Sequence, residues 1–527
     1  MRTIKHWQGL FVAAAVVAAG TACSTGADSS SGTGTTVRYA IRSDPGELDP
    51  SASTNSAGQQ VAGLAYDALV ALTGDGKIVS NLARSWTFDA SSATFTLNKG
   101  VKCDDGHELT ASDIAKNFDW IKTPANHSPL LGSVLPGSGY TTTADDAAGT
   151  FAIKYAEPSG FILEQLSKVL IVCPSSVGDR SKLATGSDGT GPFKLTGAVP
   201  GKSYDFAVRD GYTWGPGGAG TGDAKFPHKL TVVVSTNETT AANQLLSGEL
   251  NIADIRGPDT PRLKDRKLFE RGYFHITSEL FFNQAQDRLL ANEGLRKALV
   301  QGVALDQVAK VNTGNLGSVA TRLTDGGGEP CADDVTTGVV PAYDVTAANA
   351  ALDRLGWKTG ADGKRAKDGK PLELTLIYPS NAQSSVSAGQ LLASLWEKNL
   401  HIAVRTQPLT PAAIDGKWSQ AGNWGDVALA RASDQLPSNL VGQFSGSTPP
   451  NGTNFSAVAN AKYRDLAGRA YGRPGQQSCA LWNEAAKALL SAANVLPVAA
   501  QNSIIFGNGV SFEVGAGAVI PTSLRLG

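Results

Sequence analysis

An excess of charge of either sign is missing. Across 527 residues, 46 Lys and Arg face 47 Asp and Glu, a formal net charge of −1. That balance supplies neither the basic field that nucleic acid binding needs nor a polybasic patch for an anionic membrane. Histidine is scarce, with six scattered residues, and the chain has a single methionine. No cysteine spacing is CxxC and no nearby histidine completes a zinc site, so neither metal nor cofactor is expected. Hydrolase signatures are missing too. There is no GxSxG elbow and no SxxK, and His107-Glu108 lacks the second histidine of HExxH. The acidic pairs Asp104/Asp105, Asp145/Asp146 and Asp333/Asp334 fall in Gly- or Ala-rich stretches and read as solvated surface. Gly215 to Gly220 does fit GxGxxG, but Pro216 and Pro227 argue against a following helix, so it reads as a loop. No long apolar run follows residue 23 and no repeat is visible, which excludes later membrane spans and solenoids.

What is present begins at the N-terminus. Arg2 and Lys5 precede an apolar stretch from Trp7 to Ala19, and small residues then lead to Cys23. This is the order of a secretory signal, residues 1–22, too short to span a bilayer comfortably. A cysteine at the cleavage point resembles a bacterial lipobox, which implies acylation of Cys23 (palmitate) and anchoring to the outer face of the cytoplasmic membrane. Residues 23–36 then form a Ser/Gly/Thr tether, roughly 20 Å long by random-coil scaling. The remainder is long enough to divide into two or more lobes. Its four further cysteines, Cys103, Cys173, Cys331 and Cys479, suggest two disulfides with three possible connectivities. Sequential pairing is preferred; it puts one bridge in each half, each contributing about 4 to 5 kcal/mol in the chain-entropy model.

Along the chain, Val37–Ile41 alternates like a strand, and residues 59–72 have helical spacing. Asp105-Gly106 signals a hairpin turn, and Thr110 reads as a helix N-cap with Asp113 at its third position. Strands are expected at Ser203–Val208, Lys229–Val234, Leu372–Tyr378, His401–Arg405 and Val427–Ala430, with helices over 238–250, 390–398 and 476–490. Leu48-Asp49-Pro50, Tyr66-Asp67-Ala68-Leu69, Leu82 to Trp86, Phe95 to Leu97, Asp105-Gly106 and Leu109 to Asp113 follow one another in register. Further on come Gly189-Thr190-Gly191-Pro192-Phe193, Leu295 to Leu299 and Leu355-Gly356-Trp357. Taken together the order resembles the extracellular solute-binding proteins of dipeptide/oligopeptide type, family 5, that serve ABC importers.

The resemblance implies an α/β, two-lobed periplasmic-binding-protein-like fold with an inserted subdomain and a discontinuous first lobe. Lobe I would comprise 37–60, 185–275 and 492–527, the insert 61–184, and lobe II 276–491. It implies a monomer that captures a small solute, most simply a peptide, in an interlobe cleft and delivers it to importer membrane subunits without chemistry. A secreted two-lobe hydrolase and a non-transport sensor lipoprotein are the alternatives. In this family the strand matching Val427–Ala430 delivers an acid to the cleft, which in peptide binders pairs with the ligand ammonium. Asp434 is the match, and Arg431 would receive a ligand carboxylate as a two-pronged donor. Ala432 and Ser433 stand where relatives carry a Trp. Phe281, Phe282 and Asn283 lie on a crossover strand whose edge would hold a peptide backbone, and Tyr212 and Trp214 would line the cleft rim.

Overall fold

Val37, Tyr39 and Ile41 bury one face of the first strand, β1 (Thr36–Ile41), as period-two patterning requires. In the computed structural model, which describes residues 36–420 and 422–527, β1 belongs to one extended mixed sheet. Its other long strands are, in chain order, β2 (Phe193–Val199), β3 (Ser203–Val208), β4 (Lys229–Val234), β5 (Ile252–Ile255) and β6 (Phe269–Phe282). Then come β7 (Glu373–Pro379), β8 (Ala403–Leu409), β9 (Val427–Ala430) and β10 (Val495–Gly507). Across the sheet they run β8-β7-β9-β6-β10-β5-β1-β4-β3-β2. Each end has a parallel group, β4-β1-β5 in one lobe and β8-β7-β9 in the other. Parallel neighbours need crossover connections. The helix Glu238–Ser247 supplies one, started by Asn237 and stopped by Gly248 in the left-handed region. Gln383–Leu400 supplies another and buries Ala388, Leu392, Trp396 and Leu400 at fourfold spacing against the sheet.

The two groups are joined by β6 and β10, which pair antiparallel along nearly their whole length. Phe269–Ile276 faces Ala500–Gly507 in the first lobe, and Ser278–Phe281 faces Val495–Ala499 in the second. Between them the register slips at Ile276/Ser278 and again at Ser278/Glu279. Such irregularity bends a strand locally, so the sheet changes direction at the boundary between two cores. The first-lobe core gathers Val37, Tyr66, Phe193, Tyr204, Phe206 and Ile505. In the second lobe, alternation sends Phe282 to one face of β6, beside Trp396 and Leu496, and Phe281 to the other, beside Trp418, Trp424 and Phe455.

The insert is a four-stranded antiparallel sheet, Ala83–Phe88, Ser92–Leu97, Thr150–Tyr155 and Tyr140–Asp145, covered by the helix Ala111–Lys122. Thr110 and Asp113 form a reciprocal capping box there. The structure pairs the cysteines sequentially. Cys103 joins Cys173 and Cys331 joins Cys479, with Cα atoms 6.0 and 5.2 Å apart.

Several boundaries differ from the sequence reading, and those nearest the lobe junctions matter most. The helix expected over 59–72 runs Ser56–Ala65 and stops where Tyr66 turns extended, and Val70–Leu72 is a strand. Asp67 is the reason, because its buried carboxylate collects three hydrogen bonds from a different part of the chain. The helix buries Val61, Ala62, Leu64 and Ala65 in the first-lobe core, so the insert's own core starts at Leu69 rather than 61. Leu496, Val498 and Ala499 still pack in the second lobe, so the return crossing lies near residue 500, not 492. The signal, Cys23 and the tether up to residue 35 lie outside the described residues.

Candidate ligand cleft

β9 ends at Ala430, and the chain then runs as a polar loop from Arg431 to Asn439 beside the bend in β6. Glu279 in β6 accepts from the Ala432 backbone N–H at 2.8 Å, tying the loop to the crossing strand. Arg431 donates both Nε (3.0 Å) and a terminal nitrogen to Asp325. Asp325 also accepts from the Ile276 N–H at 3.0 Å and lies 3.4 Å from the His275 ring. A pair of buried acids, one arginine and one histidine therefore meet where the lobes join. The acids behave oppositely. Burial pushes the Glu279 carboxyl up to about 8. Burial also opposes ionisation of Asp325, but the hydrogen bond from His275 and the Arg431 guanidinium outweigh it and hold that carboxyl at about 2.

Asp434 follows in the same loop. Its Oδ1 accepts from Leu436 N–H and from Asn439 Nδ2, each at 3.0 Å, so one oxygen caps the following turn. The next residue, Gln435, donates to the Gly327 carbonyl at 3.1 Å and reaches a cavity of about 230 Å³. All three bodies line this cavity: Tyr66 and Tyr212 from the first lobe, Asn81 and Lys168 from the insert, Gln435 from the second lobe. A larger space of about 690 Å³ lies between Gly132–Pro136, Ser159 and Gln165 of the insert and Ser438, Asn439 and Tyr471 of the second lobe. Small-molecule sites usually measure ~300–1,000 Å³, so the larger space falls within that range and the smaller just below it. Insert and second lobe also touch directly. The Gly475 N–H donates to Gly160 at 2.6 Å, and Phe161 stacks on Trp482 with centroids 6.2 Å apart. Glu164, in the same contact, is pushed up to about 7 by burial.

The expected ligand residues are thus dispersed. Asp434 and Arg431 lie in the loop whose Gln435 lines the smaller cavity, but neither lines it: Arg431 is engaged by Asp325, and Asp434 caps the turn that follows. Tyr212 and Trp214 are buried and turned inward: Tyr212 Oη and Trp214 Nε1 donate to Asp67 at 2.9 and 3.2 Å, leaving only part of the Tyr212 ring on the cavity. Phe282 is wholly buried in the second-lobe core. Asn283 donates to the Gly422 and Gly425 carbonyls at 2.9 and 2.8 Å and holds the loop before β9. The crossover strand offers no edge there either, since β9 flanks it on one side and β10 on the other from Glu279 to Phe281. The residues that sequence reasoning missed are Asp325, Glu279, Lys168 and Asn81. Asp325 opens an Asp-Gly-Gly-Gly run that reads only as a turn. Glu279 follows the alternation of a half-exposed strand, and nothing local marks Lys168 or Asn81.

The family described as bacterial extracellular solute-binding proteins, family 5 Middle, matches residues 77–452. Protein XP55 of Streptomyces lividans is 28% identical over 394 residues, covering 70% of this chain and 66% of that protein. The oligopeptide-binding protein OppA of Lactococcus lactis is 26% identical, covering 64% of this chain and 60% of its own length. The chain thus spans roughly two thirds of the length of the curated relatives it matches. Among solved structures, a substrate binding protein from Microbacterium hydrocarbonoxydans, complexed with 4-hydroxybenzoate hydrazide, superposes with a TM-score of 0.71 at 25% identity. That superposition covers 94% of this chain and 100% of that one. The ABC transporter substrate binding protein CtaP of Listeria monocytogenes shares the fold, with a TM-score of 0.77 at 18% identity over 94% of this chain and 99% of its own.

Proposed function

Since the chain belongs to the bacterial extracellular solute-binding proteins of family 5, we propose that it captures a peptide or similar small solute between its lobes and hands it to the membrane subunits of an ABC importer. It performs no chemistry on that solute. The observation that carries this reading is the cavity lined by first lobe, insert and second lobe together, to which Gln435 is the second-lobe contribution. A space bounded by separate bodies around a bend is one that closure can seal and opening can empty. Micromolar capture requires only about 8 kcal/mol net. The protein works as a monomer, held at the outer face of the membrane by an acylated Cys23.

A thermal-shift screen with dipeptides, oligopeptides, oligosaccharides and nickel chelates tests the reading. A ligand at a hundredfold excess over its Kd should stabilise the fold by about 2.7 kcal/mol. Oligopeptides are expected to give the largest shift. Turnover of any of these compounds by pure protein, or no shift with any of them and no solute retained through purification, would defeat the proposal.

A further inference from the structure

The cations around the cleft are nearly all matched. Arg431 is taken by Asp325, Arg180 by Asp49 and Arg209 by Asp104. Lys168 is different. It follows the short helix Ile162–Leu166 and lines the three-body cavity, yet among the described residues its ammonium donates no hydrogen bond and has no carboxylate within 4.0 Å. Burial pulls its proton affinity down, and the only charge acting against that is Asp434, which does not reach it. Asp67, the acid that also lines the cavity, is closed off by Tyr212, Trp214 and Thr190. A half-buried cation without an anion is left as a ready partner for one that enters the cavity.

Asn81 supplies a second, independent observation. It lines the same cavity, is 4% exposed, and its side-chain oxygen has no hydrogen-bond partner. Leaving a buried acceptor unmet costs about 1–3 kcal/mol, so an N–H from a bound molecule would be stabilising there. We propose that this cavity is a subsite for a carboxylate flanked by an N–H, the chemistry of a peptide's C-terminal residue, with Lys168 as the anion's anchor and Asn81 as the acceptor. The inference rests on the solute-binding reading above and names which end of the solute enters.

Isothermal titration of the full chain with trialanine and trialanine amide tests it, in wild type, Lys168→Met and Lys168→Arg. The wild type should bind the acid at least ten-fold more tightly than the amide. Lys168→Met should lower the acid to the level of the amide while leaving the amide unchanged, which also shows that the variant is folded. Lys168→Arg should keep most of the preference. Equal binding of acid and amide by wild type, or an undiminished preference in Lys168→Met, overturns the assignment. If neither peptide binds, mass spectrometry of the solute released from denatured protein decides. A solute without an anionic group sinks the subsite and leaves the solute-binding reading standing, whereas no solute of any kind sinks that reading itself.

Discussion

Glu279 ionises near 4.5 in the unfolded chain but near 8 in its folded site, where burial disfavours the charge. Between those values the unfolded state holds fewer protons, so stability should fall as pH rises from about 4.5 to about 8. Glu164 adds a component that saturates by about 7. Asp325 acts in the opposite sense, stabilising above the usual carboxylate range and losing that contribution as pH falls toward about 2. Urea melts of wild type should therefore show greater stability at pH 5 than at pH 8, and Glu279→Gln should flatten much of that difference. At Asp67 the test is a hydroxyl. Tyr212→Phe removes one of three donors to a buried carboxylate and should cost about 1–2 kcal/mol in the same melts.

At the scale of elements, local signals served where local chemistry rules. Thr110 and Asp113 satisfy each other within one turn, and the alternation in Val37–Ile41 needs only a neighbouring strand to become a buried face. Residues 59–72 show where that reasoning stops. The apolar spacing continues past Ala65, but Asp67 is claimed by partners more than 120 positions away, and no window of helical length contains that information. The site residues divide the same way. The loop after Val427–Ala430 could be picked out because a short apolar strand empties into polar residues there, whereas Tyr212, Trp214 and Asn283 are hydrogen-bond donors to the fold itself. Asn283 gives an element-scale prediction. Replacing it with alanine should take the side-chain donor from the Gly425 carbonyl and leave Gly422 with Arg288 alone, cost about 1–3 kcal/mol, and raise amide exchange from Gly422 through β9. Reduction of the Cys331–Cys479 bridge, which closes 148 residues, should cost about 4–5 kcal/mol in the chain-entropy model.

For the molecule as a whole, solute should draw the lobes together, and small-angle scattering should report a smaller radius of gyration once the best ligand of the thermal screen is added. Cys23→Ser should shift the protein from the membrane fraction to the medium, as measured by fractionation. The way the halves are connected limits what such movements can be. β6 and β10 cross side by side in a single ladder, and their only slips lie at Ile276–Glu279. Sliding one half past the other would tear that ladder from end to end, while flexing at the slips strains few of its rungs. The joint is accordingly closer to a leaf spring than to a string: bending at the slips is the travel that leaves most of the ladder intact.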